Sequence, residues 1–301
     1  TVNDVFSAWK DMMEQEKRFT KNHESILRFL TPLFGDFDPT AIPTMAVREY
    51  KDLRTSGKMS RGKVQVQTAD KEIGILKGAI NYCHKQEMLD SPANFHNERK
   101  KVIVRDRFFD PQEVKRILNT DIVNQLPYFK LLLKVAFSTC ARKDAIRTLR
   151  VDQINFDANI INFNHDRMAS KAKPRAVVPI SSKELRDELY EACKASTSGY
   201  VIESHNLSSR LVPTYFVDKF RIEAFKQANV NNDPLKEKAV FHTIRHTGAV
   251  QMAKHGVPIK EISKYLGHSS VTITERVYAK YYPEFMKESV SVMGSLITGD
   301  V

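Results

Sequence analysis

The residues able to do chemistry fall in five short segments, in this order along the chain: Ser138-Thr139-Cys140-Ala141-Arg142-Lys143-Asp144, Ser170-Lys171-Ala172-Lys173-Pro174-Arg175, His242-Thr243-Ile244-Arg245-His246, Leu266-Gly267-His268-Ser269-Ser270 and Thr274-Glu275-Arg276-Val277-Tyr278-Ala279-Lys280-Tyr281. Arginine, lysine, histidine and tyrosine in combination suit chemistry on an anion. Guanidiniums hold oxyanions through bidentate, permanently charged hydrogen bonds. A phenol, with an ordinary pKa of ~10, becomes a nucleophile only with a proton acceptor or strongly positive surroundings. Taken singly, each segment has an ordinary explanation. Arg142 and His268 suit helix ends, and a lone Tyr278 suits core packing. His242 and His246 stand four apart, the spacing of a zinc site on a helix. Thr243, however, occupies the place where an HExxH metalloprotease carries its glutamate, and no third ligand is evident. The chain has neither a GxxxxGKS/T phosphate loop nor a paired-carboxylate metal site, so no cofactor and no metal are expected.

In this order and at these separations, the segments resemble the catalytic signature of the lambda-integrase-like tyrosine recombinases, the phage integrase family. The resemblance covers about Arg105 to Pro283, and the helical first half is similar to that family's core-binding domain. It implies Arg142 as the first catalytic arginine and Lys171, with Lys173 as its rival, as the lysine of a β-hairpin. His242 and Arg245 match the HxxR pair, and His268 matches the histidine of the Leu-Gly-His motif. Tyr278 is the implied nucleophile, with Tyr281 and Tyr282 close by. The implied reaction is site-specific recombination of duplex DNA at attachment sites. One strand is cut to give a 3′-phosphotyrosine and a 5′-hydroxyl, and a second 5′-hydroxyl reseals it, integrating or excising a mobile element. A homo-tetramer on DNA is implied, with a host DNA-bending protein and an excision factor as further partners. The sequence departs from the family pattern in three places. Cys140 stands where glycine is usual, Ala145 stands where an acidic residue is common (Asp144 is adjacent), and the step from His268 to Tyr278 is one residue longer than the commonest spacing. Alternatives sharing part of this inventory are a type IB topoisomerase-like relaxase and a catalytically silent DNA-binding protein of the same fold.

The inventory makes physical sense for phosphoryl transfer. A phosphodiester is anionic, and its pentacoordinate transition state gathers more charge on the non-bridging oxygens. Without a metal, Arg142 and Arg245 must supply most of that stabilisation. His242 and the arginines can receive or weaken the phenolic proton. The leaving 5′-oxygen needs a proton, which a lysine depressed among other cations, Lys171, can donate. His268 would hydrogen-bond the phosphate or position the tyrosine. The phosphotyrosine conserves the energy of the broken bond, so resealing needs no ATP.

The elements that must position these groups are mostly helical, with a small antiparallel sheet. A chain of 301 residues, 42% hydrophobic, suffices for two domains. We expect a helical core-type DNA-binding domain at 1–98, a basic linker at 99–107 and a mixed α/β catalytic domain at 108–301, forming a basic clamp on duplex DNA. Val5, Trp9, Met12 and Met13 mark a first helix capped by Asn3 or Asp4. Ile26, Leu27, Leu30 and Leu33 mark a second, interrupted by Pro32. Val47, Tyr50 and Leu53 mark a third, and Ile73, Leu76, Ile80 and Cys83 a fourth. Asp110 and Pro111 open a helix in the second half. A buried helix is expected at 131–139, strands at 151–154, 160–163 and 176–180, and helices at 183–193, 215–228, 243–255 and 258–266, the last closed by Gly267. A net charge of +11 and a pI near 9.4 point to a polyanionic partner, with nucleic acid foremost. Candidate phosphate contacts are Lys58, Arg61 and Lys63 in a basic loop and Arg99, Lys100 and Lys101 in the linker.

Three scattered cysteines without a CxxC suggest a reducing compartment, with the cytoplasm as the default. No apolar run approaches the ~20 residues of a membrane span, and no signal-peptide pattern stands at the start. Thr1 in place of an initiator Met suggests a processed or trimmed chain with a segment missing upstream, and the sequence leaves open whether that segment is an arm-binding domain. In the tail at 284–301, Met286, Val290, Met293 and Ile297 form an apolar stripe, which in the resembling family often docks on a neighbouring subunit.

Overall fold

The computed structural model describes residues 1–59, 62–98, 106–164, 175–204 and 209–282, with positions 286, 287, 290, 291, 293 and 294 of the tail. The chain divides into two compact units, Thr1–Ile103 and Val104–Val301. Arg61, Arg99, Lys100, Lys101 and Lys171 lie outside the described residues, as does most of the basic segment expected to link the domains.

The first unit holds four helices, α1 (Val2–Gln15), α2 (Lys21–Phe34), α3 (Thr44–Ser56) and α4 (Val66–Lys85), of which the first three all pack on α4. The apolar stripes drive this. Val5, Trp9, Leu30, Val47, Tyr50, Ile73, Leu76, Ile80 and Cys83 all enter one buried cluster. Two local expectations are corrected. The N-cap of α1 is Thr1, because its side chain and Asp4 form a reciprocal capping box, which needs the acidic residue three positions on. Pro32 does not interrupt α2. It sits in the last turn, and the helix continues to Phe34, closed by the Gly35 N–H donating to the Thr31 carbonyl at 2.9 Å. Exposed Lys58 and Lys63 flank the turn between α3 and α4.

This core also contains a buried ion pair. Arg54 reaches both carboxylate oxygens of Glu72 at 2.9 and 2.6 Å, and the Tyr50 hydroxyl donates to the same carboxylate at 2.8 Å. The Arg54 guanidinium also stacks 3.8 Å from the Phe29 ring centroid. Removing one partner would strand a charge out of water, so Glu72→Ala should destabilise this unit by about 3–5 kcal/mol. Trp9, the single tryptophan, lies in this cluster. Denaturant unfolding followed by its fluorescence reports the loss directly, and an unchanged midpoint would contradict it.

The second unit contains α5 (Pro111–Leu118), α6 (Asp121–Gln125), α7 (Pro127–Thr139), α8 (Lys143–Arg147), α9 (Lys183–Ala195), α10 (Thr214–Gln227), α11 (Phe241–Lys254), α12 (Ile259–Leu266) and α13 (Val271–Tyr278). Asp110 caps α5 through a capping box with Glu113. Helix α7, nearly all apolar, is buried and packs against α11 and α9. A three-stranded antiparallel sheet comprises β1 (Ile154–Asn155), β2 (Ile160–Asn162) and β3 (Val177–Pro179), in that order. Its register pairs Ile154 with Ile161 and Ile161 with Val178, so the buried residues share one face. The first strand is shorter than expected. Val151–Gln153 forms a 3-10 turn, because the Gln153 side chain accepts from the Arg150 N–H and bends the chain there. The short helices α6 and α8, five residues each, have too few residues to show a period. Among the described residues, no helix is long and apolar enough to cross a membrane.

Candidate active site

Helix α7 ends at Cys140, whose φ of +54° lies in the left-handed region. Such a turn normally favours glycine, which gives a physical reason for glycine being usual at this position. The cysteine is accommodated from the other side. A Cβ on Gly248 of α11 would come within 2.1 Å of the Cys140 sulfur, so α11 is bare where the thiol needs room. After this turn, Arg142 stands as the N-cap of α8, half-buried.

Arg245 lies one turn into α11 and is only 4% exposed. Its guanidinium donates to the Cys140 carbonyl at 3.0 Å and to the Leu266 carbonyl at 2.6 Å. One buried side chain thereby ties the turn before Arg142 to the turn before His268. Burial pulls its pKa down to about 10, assisted by the charge of Arg142. Arg142 is lowered too, by burial first and then by Arg175. Cations crowded together in partial burial repel one another, and an anion placed among them relieves the cost. Arg142, Arg175, Arg245 and the exposed His242 all line one open cleft of about 730 Å³.

The Leu-Gly-His turn is set by sterics. Gly267 has a φ of +62°, and a Cβ there would stand 2.8 Å from the Ala176 nitrogen and 2.9 Å from the Arg175 carbonyl carbon. Only glycine lets this turn lie against the end of the β2–β3 hairpin. The hairpin stem is closed by the Phe163 N–H donating to the Ala176 carbonyl and the Arg175 N–H donating to the Asn164 side chain. Lys171 falls within residues 165–174, outside the described residues. His268, half-buried, contacts the Thr274 hydroxyl through Nδ1 at 2.7 Å. Its pKa falls to about 4, through burial and then the charges of Arg245, Arg142 and His242, so the ring is neutral at physiological pH. Thr274 and Tyr278 are both buried one turn apart on α13, so the histidine also sets the face that α13 presents.

Tyr278 is 5% exposed, in a cluster with Cys140, Ala249, Val250, Ile262 and Leu266. Burial pushes its hydroxyl up to about 12, while the charge of Arg245 pulls the other way. Tyr281 and Tyr282 are occupied elsewhere. The Tyr281 hydroxyl donates to Asp106 at 3.2 Å, and Tyr282 donates to the Val257 carbonyl.

The structure thus gathers Arg142, His242 and Arg245 on one cleft, with His268 after the turn that Arg245 braces and Tyr278 in the apolar cluster that holds Cys140 and Leu266. Two further residues join them. Arg175 was visible only as the end of a basic segment. His246, next to Arg245 in sequence, had been weighed only as a zinc ligand. Its Nδ1 stands 3.4 Å from the Tyr278 hydroxyl, a contact across 32 residues that no local pattern announces. Among the described residues, no group of three or more His, Cys, Asp or Glu side chains is placed to hold a metal ion.

Comparison with known proteins identifies the family. The phage integrase family model matches residues 107–284, more than half of the chain. The chain is 23% identical over 295 residues to the tyrosine recombinase XerA of Pyrococcus horikoshii, covering 96% of this chain and 93% of that one. It is 24% identical over 223 residues to a tyrosine recombinase of Pseudothermotoga lettingae, covering 72% of each. Among solved structures, the Tn1549 transposon integrase in complex with a circular intermediate DNA superposes with a TM-score of 0.71 at 15% identity, covering 98% of this chain and 99% of that one. A lambda integrase tetramer bound to a Holliday junction gives 0.66 at 13% identity, covering 91% and 76%. The chain belongs to the phage integrase family, the tyrosine recombinases.

Proposed function

We propose that the chain is a site-specific DNA recombinase that cuts duplex DNA through a 3′-phosphotyrosine at Tyr278, without metal or ATP, and integrates or excises a mobile element. The observation that carries this reading is Arg245. Its guanidinium braces the turns bearing Arg142 and His268, lines the cationic cleft and extends its charge to the Tyr278 hydroxyl. A scissile phosphate in that cleft takes its non-bridging oxygens to Arg142 and Arg245, which hold the growing negative charge without reorganising. His268, neutral, positions rather than neutralises. Tyr278 attacks phosphorus, the bond to the 5′-oxygen breaks, and Lys171 protonates the leaving oxygen. The reverse sequence with a different 5′-hydroxyl exchanges strands.

DNA as the partner is supported by the net charge of +11 and by relatives solved on DNA. Lys58, Arg61, Lys63, Arg99, Lys100 and Lys101 are the proposed phosphate contacts outside the cleft. Tetramer assembly is supported by the tail. Met286, Val290 and Met293 are 59%, 67% and 60% exposed, and large apolar side chains left in water forfeit about 1.5–3 kcal/mol each. Ile297, the fourth residue of that stripe, lies outside the described residues.

The test begins with a duplex selected by binding from a randomised pool, then nicked beside the cleavage position so that the cut end diffuses away. The protein should form a covalent adduct joined to the 3′ side of the break. Truncation after Pro283 should leave one-site binding intact and weaken assembly on two-site DNA in gel-shift titration. Absence of any adduct on bound duplex would reject the enzymatic reading, and relaxation of supercoiled DNA without strand exchange would favour a relaxase.

A further inference from the structure

Helix α11 carries a second histidine beyond the HxxR pair, buried where His242 is exposed, and its environment is unusual. His246 is 7% exposed, its ring tilted against that of Tyr278 with centroids 5.3 Å apart and edge-on to Tyr281 at 6.2 Å. Its Nδ1 faces the Tyr278 hydroxyl at 3.4 Å. Its Nε2 is buried with no hydrogen-bond partner among the described residues. A buried polar edge without a partner is costly and rarely kept for packing alone. With Nδ1 bare and Nε2 protonated, the ring accepts from the phenol, and catalytic hydrogen bonds of this kind are often long until substrate is bound.

We infer that His246 is the residue that positions the Tyr278 hydroxyl and receives its proton, an inference resting on the assignment of Tyr278 as nucleophile. As the oxygen–phosphorus bond forms, the Tyr278 O–H bond breaks and its proton passes to Nδ1. The phosphorus–5′-oxygen bond breaks at the same time, and that oxygen takes a separate proton from Lys171. Resealing reverses both transfers: the attacking 5′-hydroxyl gives its proton to Lys171, and Nδ1 returns its proton to the tyrosine as the tyrosine–phosphorus bond breaks. The groups facing His246 suit this role. Burial keeps the free ring neutral, with a pKa near 4, so it is ready to accept. His242 on the same helix and Lys280 beyond α13 disfavour an imidazolium, whereas Asp106 favours one. Asp106 is itself held ionised by the Lys280 ammonium 2.5 Å away, and it accepts from Tyr281. Asp106 therefore offsets part, and only part, of the burial cost that an imidazolium at His246 meets.

The experiment is single-turnover adduct formation on the selected, nicked duplex with the parent, Tyr278→Phe, His246→Phe and His246→Asn. Phenylalanine keeps the ring packing and removes the acceptor, and asparagine restores a polar atom near Nδ1 that cannot hold a proton. His246→Phe should bind duplex like the parent and form adduct about 100-fold more slowly. Its deficit should shrink by about tenfold per pH unit as hydroxide replaces the missing base. His246→Asn should be intermediate. A substrate with a 5′-bridging sulfur, which leaves without a proton, should not rescue either variant, because the defect lies on the nucleophile's side. Parental rates and pH profile in His246→Phe, with Tyr278→Phe inactive, would overturn the inference and leave the nucleophile standing. Adduct formation by Tyr278→Phe would remove the nucleophile and the inference together. Should His246→Phe fail to bind duplex, His246→Asn decides, and a parental rate and pH profile there overturns the inference.

Discussion

Tyr278→Phe should bind duplex with parental affinity and form no covalent adduct. The two halves of that result come from different features of the residue. The ring, 5% exposed, packs against Cys140, Ala249, Val250, Ile262 and Leu266, and phenylalanine preserves all of this. Only the oxygen is lost, and with it the proposed nucleophile. Its described hydrogen bond is a single 3.4 Å contact to His246, so little folding energy leaves with it. Trapping on the nicked duplex, with gel-shift binding in parallel, separates the effects. Tyr281→Phe and Tyr282→Phe are the controls, since their hydroxyls are engaged by Asp106 and the Val257 carbonyl. Adduct formation by Tyr278→Phe, lost instead in one of these two, would move the nucleophile to that residue.

The second large effect is expected at the arginines. Removing one preorganised donor from a transition-state oxyanion typically costs about 10²–10³-fold in rate. Arg142→Ala should fall in that range or below it while retaining the fold. Arg245→Ala should lose more, because the substitution also releases the carbonyls of Cys140 and Leu266 that hold the turns before Arg142 and His268. Arg245→Lys should recover little, since a single ammonium cannot reach two carbonyls and a phosphate with the geometry of a planar fork. Adduct formation by the parent should persist in EDTA, because in the proposed reaction these guanidiniums take the electrostatic role that a metal would fill. Loss of cleavage in EDTA, restored by added Mg²⁺ or Zn²⁺, would contradict this account.

Much of the architecture could be read from local signals. Apolar steps of three and four located α1 to α4, and Asp110 with Pro111 opened α5 where expected. Gly267 closed α12 in the left-handed region, because only glycine adopts it without strain. The failures have equally local causes. The cap of α1 went to Thr1 because the capping box with Asp4 satisfies two backbone donors at once. Pro32 was absorbed because it lies in the closing turn of α2. The helices α6 and α8 span too few residues for periodicity to appear.

At the candidate site the division is similar. By itself the sequence determined which residue types are present and in what order, and side-chain chemistry travels with those types. Two guanidiniums, a phenol and histidines suit phosphoryl transfer by their chemistry alone. Only the tertiary structure decided the environments. Burial makes His246 and His268 neutral and raises the Tyr278 hydroxyl, and the packing of α7, α11 and α12 lets one guanidinium brace two turns. Both depend on contacts between residues 21 to 105 positions apart, whose closure is fixed by the whole hydrophobic core and leaves no periodic trace in the chain.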